Sequence, residues 1–276
     1  MGPKRLRPFL RWAGGKQNLV QHLVDHVPQG VLENGATYYE PFLGAGALFL
    51  ALKPKRAVLA DANRHLIECF RAIKDHPDGM NRNLRAHERN SSKDYYYDIR
   101  GEFNRANGQA TVAQAARFLY LNRACYNGIY RVNLKGEFNV PFGDKQNLLF
   151  PNLSQLRMLA ARLNRARVSV ASFEQTADTA MEGDFVYLDP PYPPLNGSSY
   201  FAHYTKDRFD FADQSNVAEA ANHMSDRGCR VMVSNADMPI IRRLYKGWRI
   251  RPIEVTRFVS CKAVRHKVDE LIMTNY

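Results

Sequence analysis

The chain has 276 residues, enough for one large α/β domain, or a domain carrying an insert, with a core that needs no staples. Hydrophobic residues make up 45%, charged residues 24% and aromatic residues 11%, a balance that excludes a disordered chain. Lys plus Arg number 39 against 27 Asp plus Glu, so the net charge is +12, and that excess favours polyanionic partners, nucleic acid above all.

In chain order, helical periodicity begins at 18–27, where Leu19, Val20, Leu23, Val24 and Val27 share one face. A strand is expected at 38–42, a helix at 46–52 and a second strand at 57–61. From 62 to about 150 the sequence is helix-like, with clear helices at 62–74, 95–106 and 112–124. A short hairpin follows over 128–140, turning through Asn133-Leu134-Lys135-Gly136. Strands are then expected at 168–172, 185–189, 230–235, 250–255 and 268–275, with a helix at 213–226. Strands alternating with helices predict a largely parallel sheet covered on both faces. The expected organisation is a catalytic α/β domain of residues 1–61 and 151–276, interrupted by a helical and hairpin insert of residues 62–150.

Three segments carry chemistry. The first, Tyr39-Glu40-Pro41-Phe42-Leu43-Gly44-Ala45-Gly46, leaves a strand and opens a helix. Gly44 and Gly46 allow a tight turn and a close approach of backbone to ligand. Asp61 ends the next strand, 17 residues after Gly44, and an acid there suits the hydroxyls of a ribose. The third glycine of a dinucleotide fingerprint is missing, which suits a nucleoside cofactor without a pyrophosphate; a tight strand–helix turn with no ligand is the bland alternative.

The second segment, Asp189-Pro190-Pro191-Tyr192, ends the apolar strand and is sharper. Four fixed residue types arise by chance in a chain this long only about twice in a thousand. Prolines stiffen the exit and remove amide donors near free carbonyls. Asp189 is an acceptor and Tyr192 offers a flat face, which together suit the exocyclic amino group of a planar base. The third segment runs from Phe9 to Lys16 through Arg11, Trp12, Gly14 and Gly15. It lacks P-loop spacing, so an ionic ligand at a helix start and a plain N-terminal turn both fit.

These segments, in this order, resemble the DNA adenine-N6 methyltransferases of the Dam (deoxyadenosine methylase) family, with the alpha-group order of motifs. The likeness also takes in residues 59–63 around Asp61, residues 121–143 of the insert and the closing residues 266–276, and so spans nearly the whole chain. It implies a Rossmann-like seven-stranded methyltransferase sheet, S-adenosyl-L-methionine as methyl donor and a flipped-out adenine in double-stranded DNA as acceptor, with GATC the expected target. By the same resemblance, cofactor contacts fall on Trp12, Lys16, Asp61 and Asp189, with Glu40, Phe42, Gly44, Gly46 and Phe173 in the same pocket. The insert becomes a target-recognition unit, with Arg11, Tyr126, Asn127, Ile129, Arg131 and Lys145 toward DNA and Arg131 suited to a guanine edge.

Departures fall at Asp144-Lys145-Gln146 and at Phe258-Val259-Ser260-Cys261-Lys262, where the family pattern is more basic or aromatic and richer in Ser and Gly, respectively. Catalysis is expected from Asp189, the Pro190 carbonyl and Tyr192, without a metal or a covalent cysteine. Cytosine N4 or RNA adenine are rival acceptors, and a non-catalytic DNA-binding regulator is the rival from another class. The four cysteines, Cys69, Cys125, Cys229 and Cys261, are scattered without metal or disulfide spacing. With no long apolar run and no signal-like start, a cytoplasmic chain, monomeric or weakly self-associating, is expected. Both an orphan methylase and a restriction–modification partner fit these motifs.

Overall fold

A computed structural model describes residues 6–33, 35–145, 147–193, 209–258 and 265–276, with the side chains of 255–258 and 265–269 left aside. Seven strands form one sheet: β1 (Tyr38–Glu40), β2 (Ala57–Asp61), β3 (Ala166–Val170), β4 (Phe185–Leu188), β5 (Arg230–Ala236), β6 (Arg249–Phe258) and β7 (Arg265–Thr274). Their order across the sheet is β3-β2-β1-β4-β5-β7-β6. The first five run parallel, and β7 pairs antiparallel with both β5 and β6. This is the α/β, Rossmann-like architecture the sequence predicts.

The strand period of two sorts apolar side chains into two cores. Along β4, Phe185 and Tyr187 enter one core while Val186 and Leu188 enter the other. Along β7, Ile272 joins the first and Leu271 and Met273 the second. A strand buried on both faces reads as a continuous apolar run, which is why β4 and β5 are legible without polar alternation.

Ten α-helices accompany the sheet among the described residues. Before the insert come α1 (Val20–His26) and α2 (Ala47–Leu52). The central stretch holds α3 (Arg64–Asp75), α4 (Pro77–Asn90), α5 (Lys93–Arg105), α6 (Val112–Ala124) and α7 (Leu153–Leu163). The remainder are α8 (Phe173–Ala177), α9 (Phe211–Asp226) and α10 (Pro239–Leu244). Buried residues of α1 to α7 share the first core, and those of α8 to α10 the second.

Three of the four helices of the insert start on a side-chain cap: Asn63, Ser92 and Thr111 accept from Leu66, Tyr95 and Gln114 N–H groups, while α4 starts on Pro77 without one. The helix α3, which the expected boundary assigns to the insert, also dresses the sheet edge. Arg71 Nε and Lys74 Nζ donate to the outward carbonyls of Val168 and Ala166, at 2.9 and 2.8 Å, and so occupy the open side of β3.

The sequence reading differs from the structure at several ends. β3 begins at Ala166 and ends at Val170, two residues ahead of the expectation, because as an edge strand it carries exposed Arg167. β6 and β7 form a longer closing hairpin than expected. Helices α4, α7, α8 and α10 are not individually expected from the sequence. Between β2 and β3 the described residues contain two isolated bridges, Cys125 with Phe142 and Val132 with Phe138, the second closing the expected hairpin.

Candidate active site

The order of strands fixes where a site can form. β1 lies between β2 and β4, so the sheet's direction of growth reverses there and opens a crevice beyond the carboxyl ends of those strands. The Gly44–Gly46 turn leaves β1 and the Asp189–Tyr192 segment leaves β4. Two of the three sequence motifs are thus brought to one crevice by topology alone.

On the β1 side, Gly44 and Gly46 both take positive φ, +48° and +67°. A side chain at Gly44 would sit 3.0 Å from Trp12 Cδ1, so the glycine lets the Trp12 ring close on the turn. Trp12 stacks in turn on Tyr130 of the hairpin, centroids 5.6 Å apart and planes at 24°. Asp61 accepts from Gly44 N–H at 3.0 Å through Oδ2 and from Asn63 N–H at 2.9 Å through Oδ1. Burial pushes its carboxyl up to about 6, against the pull of those two amides. Each oxygen keeps a second lone pair for a ligand hydroxyl. Phe42 stacks on Phe173 at 5.3 Å, an aromatic pair at the same turn.

Glu40 has a different setting. It is 3% exposed and accepts from Tyr38 Oη at 2.9 Å. Burial raises its carboxyl to about 8, with Asp189 and Asp61 adding to the rise, so it holds its proton at neutral pH. Glu40 therefore brings a neutral carboxyl to the floor of the crevice.

On the β4 side, Lys16 reaches across from the N-terminal segment. Its Nζ is 2.8 Å from Asp189 Oδ1, donates to Gly14 O at 2.8 Å and stands 4.5 Å from the centroid of the Tyr192 ring. Lys16 is 6% exposed and Asp189 17%. Burial raises the Asp189 carboxyl and the Lys16 ammonium opposes that rise. The three motifs therefore meet: the Gly14–Lys16 turn supplies a cation between the acceptor carboxylate and the aromatic plate.

Four residues that the sequence reading passed over hold this loop. Ser234 Oγ donates to Asp189 Oδ1 at 2.7 Å and shares a 2.8 Å hydrogen bond with Tyr187 Oη. Gln214 of α9 donates to Pro191 O at 2.7 Å, and Asn235 Nδ2 donates to Gln214 Oε1 at 2.8 Å. Tyr192 Oη donates to Glu270 Oε2 at 2.7 Å. For three of them the signal is a polar residue inside an apolar strand: Ser234 and Asn235 follow Val231-Met232-Val233, and Glu270 precedes Leu271-Ile272-Met273; Gln214, on the helix α9, carries no such signal.

The insert meets the site through the N-terminal segment. Asn122 of α6 accepts from Arg11 N–H at 2.9 Å and donates to Arg11 O at 2.7 Å. Gly128, at φ +67°, lies flat on the Arg11 stem, where an added Cβ would come within 2.4 Å of Arg11 Cδ. Tyr126 is 46% exposed, Asn127 is exposed in the left-handed region and Ile129 is half-buried. Arg131 is exposed and donates through Nε to Asn139 Oδ1 at 2.9 Å. Lys145 is turned inward instead. Its Nζ donates to the carbonyls of Arg123 and Cys125, both at 2.9 Å, at the C-terminal end of α6. Its neighbour Gln146 and the expected departure at 259–262, Cys261 included, lie outside the described residues.

Among the described residues no cluster of His, Cys, Asp or Glu could hold a metal ion, and no helix is long and apolar enough to cross a membrane. A family model for D12 class N6 adenine-specific DNA methyltransferases matches residues 12–260. The chain is 39% identical to the type II methyltransferase M1.LlaDCHI of Lactococcus lactis subsp. cremoris, over 98% of this chain and 96% of the relative. It is 34% identical to the type II methyltransferase M.MjaIII of Methanocaldococcus jannaschii, over 98% and 99%. It is 37% identical to the DNA adenine methylase of Escherichia coli K12, over 98% and 95%. With the switch-point crevice, the Asp189–Tyr192 loop and a match across almost its full length, the chain belongs to the D12 class of N6 adenine-specific DNA methyltransferases.

Proposed function

We propose that the enzyme transfers the methyl group of S-adenosyl-L-methionine to N6 of an adenine flipped out of double-stranded DNA, with GATC as its target. The observation that carries the reading is the Lys16 ammonium, 2.8 Å from Asp189 Oδ1 and 4.5 Å from the Tyr192 ring centre. A nitrogen donor under an aromatic plate and against a carboxylate is the arrangement a base amino group needs. The reading gives that place to adenine N6 and has Lys16 withdraw as the base enters.

The donor set fits the cofactor. Asp61 offers a carboxylate to ribose hydroxyls, Phe42 and Phe173 offer apolar walls, and Trp12 closes the Gly44 turn with a ring face that attracts a sulfonium. When bound, S-adenosyl-L-methionine supplies an electrophilic methyl on sulfur. The N6 lone pair is delocalised into the adenine ring, so the amino group is a weak nucleophile. Hydrogen bonds from N6–H to Asp189 and to the Pro190 carbonyl draw it toward tetrahedral geometry and stabilise the positive charge that develops on it. Tyr192 stacks on the base and holds it for in-line attack. Asp189 accepts from the N6 hydrogens and orients them.

In the same reading, residues 62–150 form the target-recognition unit on a catalytic domain of 1–61 and 151–276. Arg11, Tyr126, Asn127, Ile129, Arg131 and Lys145 belong to the DNA side, with Lys145 acting through the α6 end that it holds in place. Methylating an unmodified plasmid in vitro and mapping modified bases one by one tests the proposal. N6-methyladenine confined to GATC is expected. Modified cytosine would overturn the acceptor, and adenines in another sequence would overturn the target.

A further inference from the structure

We propose that Glu270 is a positioning residue of methyl transfer: a buried carboxylate on β7 that fixes the Tyr192 ring on which the acceptor base stacks. The proposal rests on the role given to Tyr192 above. Glu270 is 3% exposed and lies beside Leu271, Ile272 and Met273, which are 0–2% exposed. It pairs in register with Ala236 at the carboxyl end of β5, so the antiparallel return of β7 delivers it to the crevice. Its Oε2 accepts from Tyr192 Oη at 2.7 Å, within the short range of charge-assisted bonds.

A carboxylate buried in an apolar strand adds little stability over an apolar side chain of the same volume. What it provides is a fixed angle. Pro190 and Pro191 set the backbone path of the loop but leave the two side-chain torsions of Tyr192 open. Anchoring the phenol at its far end fixes the ring's position, and because a phenolic O–H prefers the plane of its ring, the direction of the Glu270 acceptor also selects that plane. Lys16 lies on that ring and against Asp189 at the same time, so the ring's tilt also sets the gap into which N6 must fit. Asp189 meets the Lys16 ammonium directly while Glu270 holds the far end of the ring beneath that ammonium, so the carboxyl that contacts the amino nitrogen and the one that positions its platform are distinct.

The test compares Glu270→Leu, Glu270→Gln, Tyr192→Phe and the Tyr192→Phe/Glu270→Leu pair. Single-turnover methylation of a target duplex is measured alongside duplex affinity, S-adenosylhomocysteine affinity and the fluorescence of 2-aminopurine at the target adenine. Glu270→Leu is expected to slow methylation roughly 10- to 100-fold, with both affinities within about twofold of wild type. The 2-aminopurine signal should brighten, because the extruded base stacks poorly on a loosened ring. Glu270→Gln should lose less, since its amide oxygen still accepts. Tyr192→Phe should resemble Glu270→Leu, and the double variant should be no slower than either.

Wild-type rates in Glu270→Leu, or losses that multiply in the double variant, would overturn the proposal. If Glu270→Leu fails to fold, the isosteric Glu270→Gln and Tyr192→Phe carry the test, and unchanged rates in both sink it. Tyr192→Ala separates this proposal from its foundation. A wild-type rate there overturns both, whereas a slow Tyr192→Ala beside normal Tyr192→Phe and Glu270→Leu overturns the Glu270 role alone.

Discussion

The Asp189–Tyr192 loop and the 126–140 hairpin are both short connections, but they are held in opposite ways. In the loop, each anchoring bond reaches a different element: Ser234 from β5, Gln214 from α9, Glu270 from β7 and Lys16 from the N-terminal segment. The hairpin is fixed at its base, where Phe138 exchanges two hydrogen bonds with Asn104 and Tyr130 is buried against Trp12. Its tip is closed only by local turn bonds, as Asn133 Oδ1 takes the N–H groups of Lys135 and Glu137, and Leu134 is 96% exposed. The contrast separates two tasks. A group that must meet a reacting nitrogen within a fraction of an ångström needs struts from rigid elements, while a reader of DNA needs an anchored base and presented side chains.

Breaking the strutted side should have the largest effect. Asp189→Ala removes the acceptor at the developing positive centre, and a loss of about 10²–10³ or more in single-turnover methylation is expected. Duplex affinity should stay near wild type, since the proposed reading sets Asp189 against the base and not the phosphates. A thermal melt controls for the buried Lys16 left without its partner.

Asp61→Ala acts on the cofactor in the proposed reading. Loss of a charge-assisted hydrogen bond should weaken S-adenosylhomocysteine binding roughly 10- to 150-fold by calorimetry. The sign of the pH dependence follows from a carboxyl raised to about 6. Below that value Asp61 takes up a proton and loses part of its acceptor strength, so wild-type affinity should fall as pH drops through 6, and the affinity of Asp61→Ala should stay flat there. Equal affinity at neutral pH would remove Asp61 from the cofactor site.

The smallest effect belongs to the exposed side. Arg131→Ala should lose about 1–3 kcal/mol of discrimination at one base pair while the cognate site remains methylated. Comparing kcat/KM on GATC with each single-base variant at fixed ionic strength measures it. A uniform loss over all sequences, with a salt slope lowered by about one, would make Arg131 a phosphate contact.

The parts legible in the sequence are those where one residue type is dictated by local geometry. Gly44, Gly46 and the two prolines after Asp189 announce turns that hardly any other residue could make. The central strands announce themselves as apolar runs. What stayed hidden depends on partners distant in the chain. Glu270 is one common acid among 27 Asp and Glu residues until β7 returns antiparallel and brings it to Tyr192, 78 residues away. Asn122 sat inside a recognised segment without a role, because its partner Arg11 is 111 residues upstream. The resemblance sets Lys145 toward DNA, yet its Nζ donates to the carbonyls of Arg123 and Cys125 in its own fold. The helix α7 could have been found, since Asn152 and Gln155 form a capping box ahead of the buried Leu156, Leu159 and Leu163.

The central claim is that adenine N6 takes the place held by the Lys16 ammonium between Asp189 and Tyr192. A structure of the enzyme with S-adenosylhomocysteine and a target duplex tests it most directly. The account predicts an extruded adenine lying on the Tyr192 ring, N6 about 3 Å from the Asp189 carboxylate and the Pro190 carbonyl, and Lys16 moved off Asp189. An adenine seated elsewhere in the protein, with the Lys16–Asp189 pair intact, would contradict it.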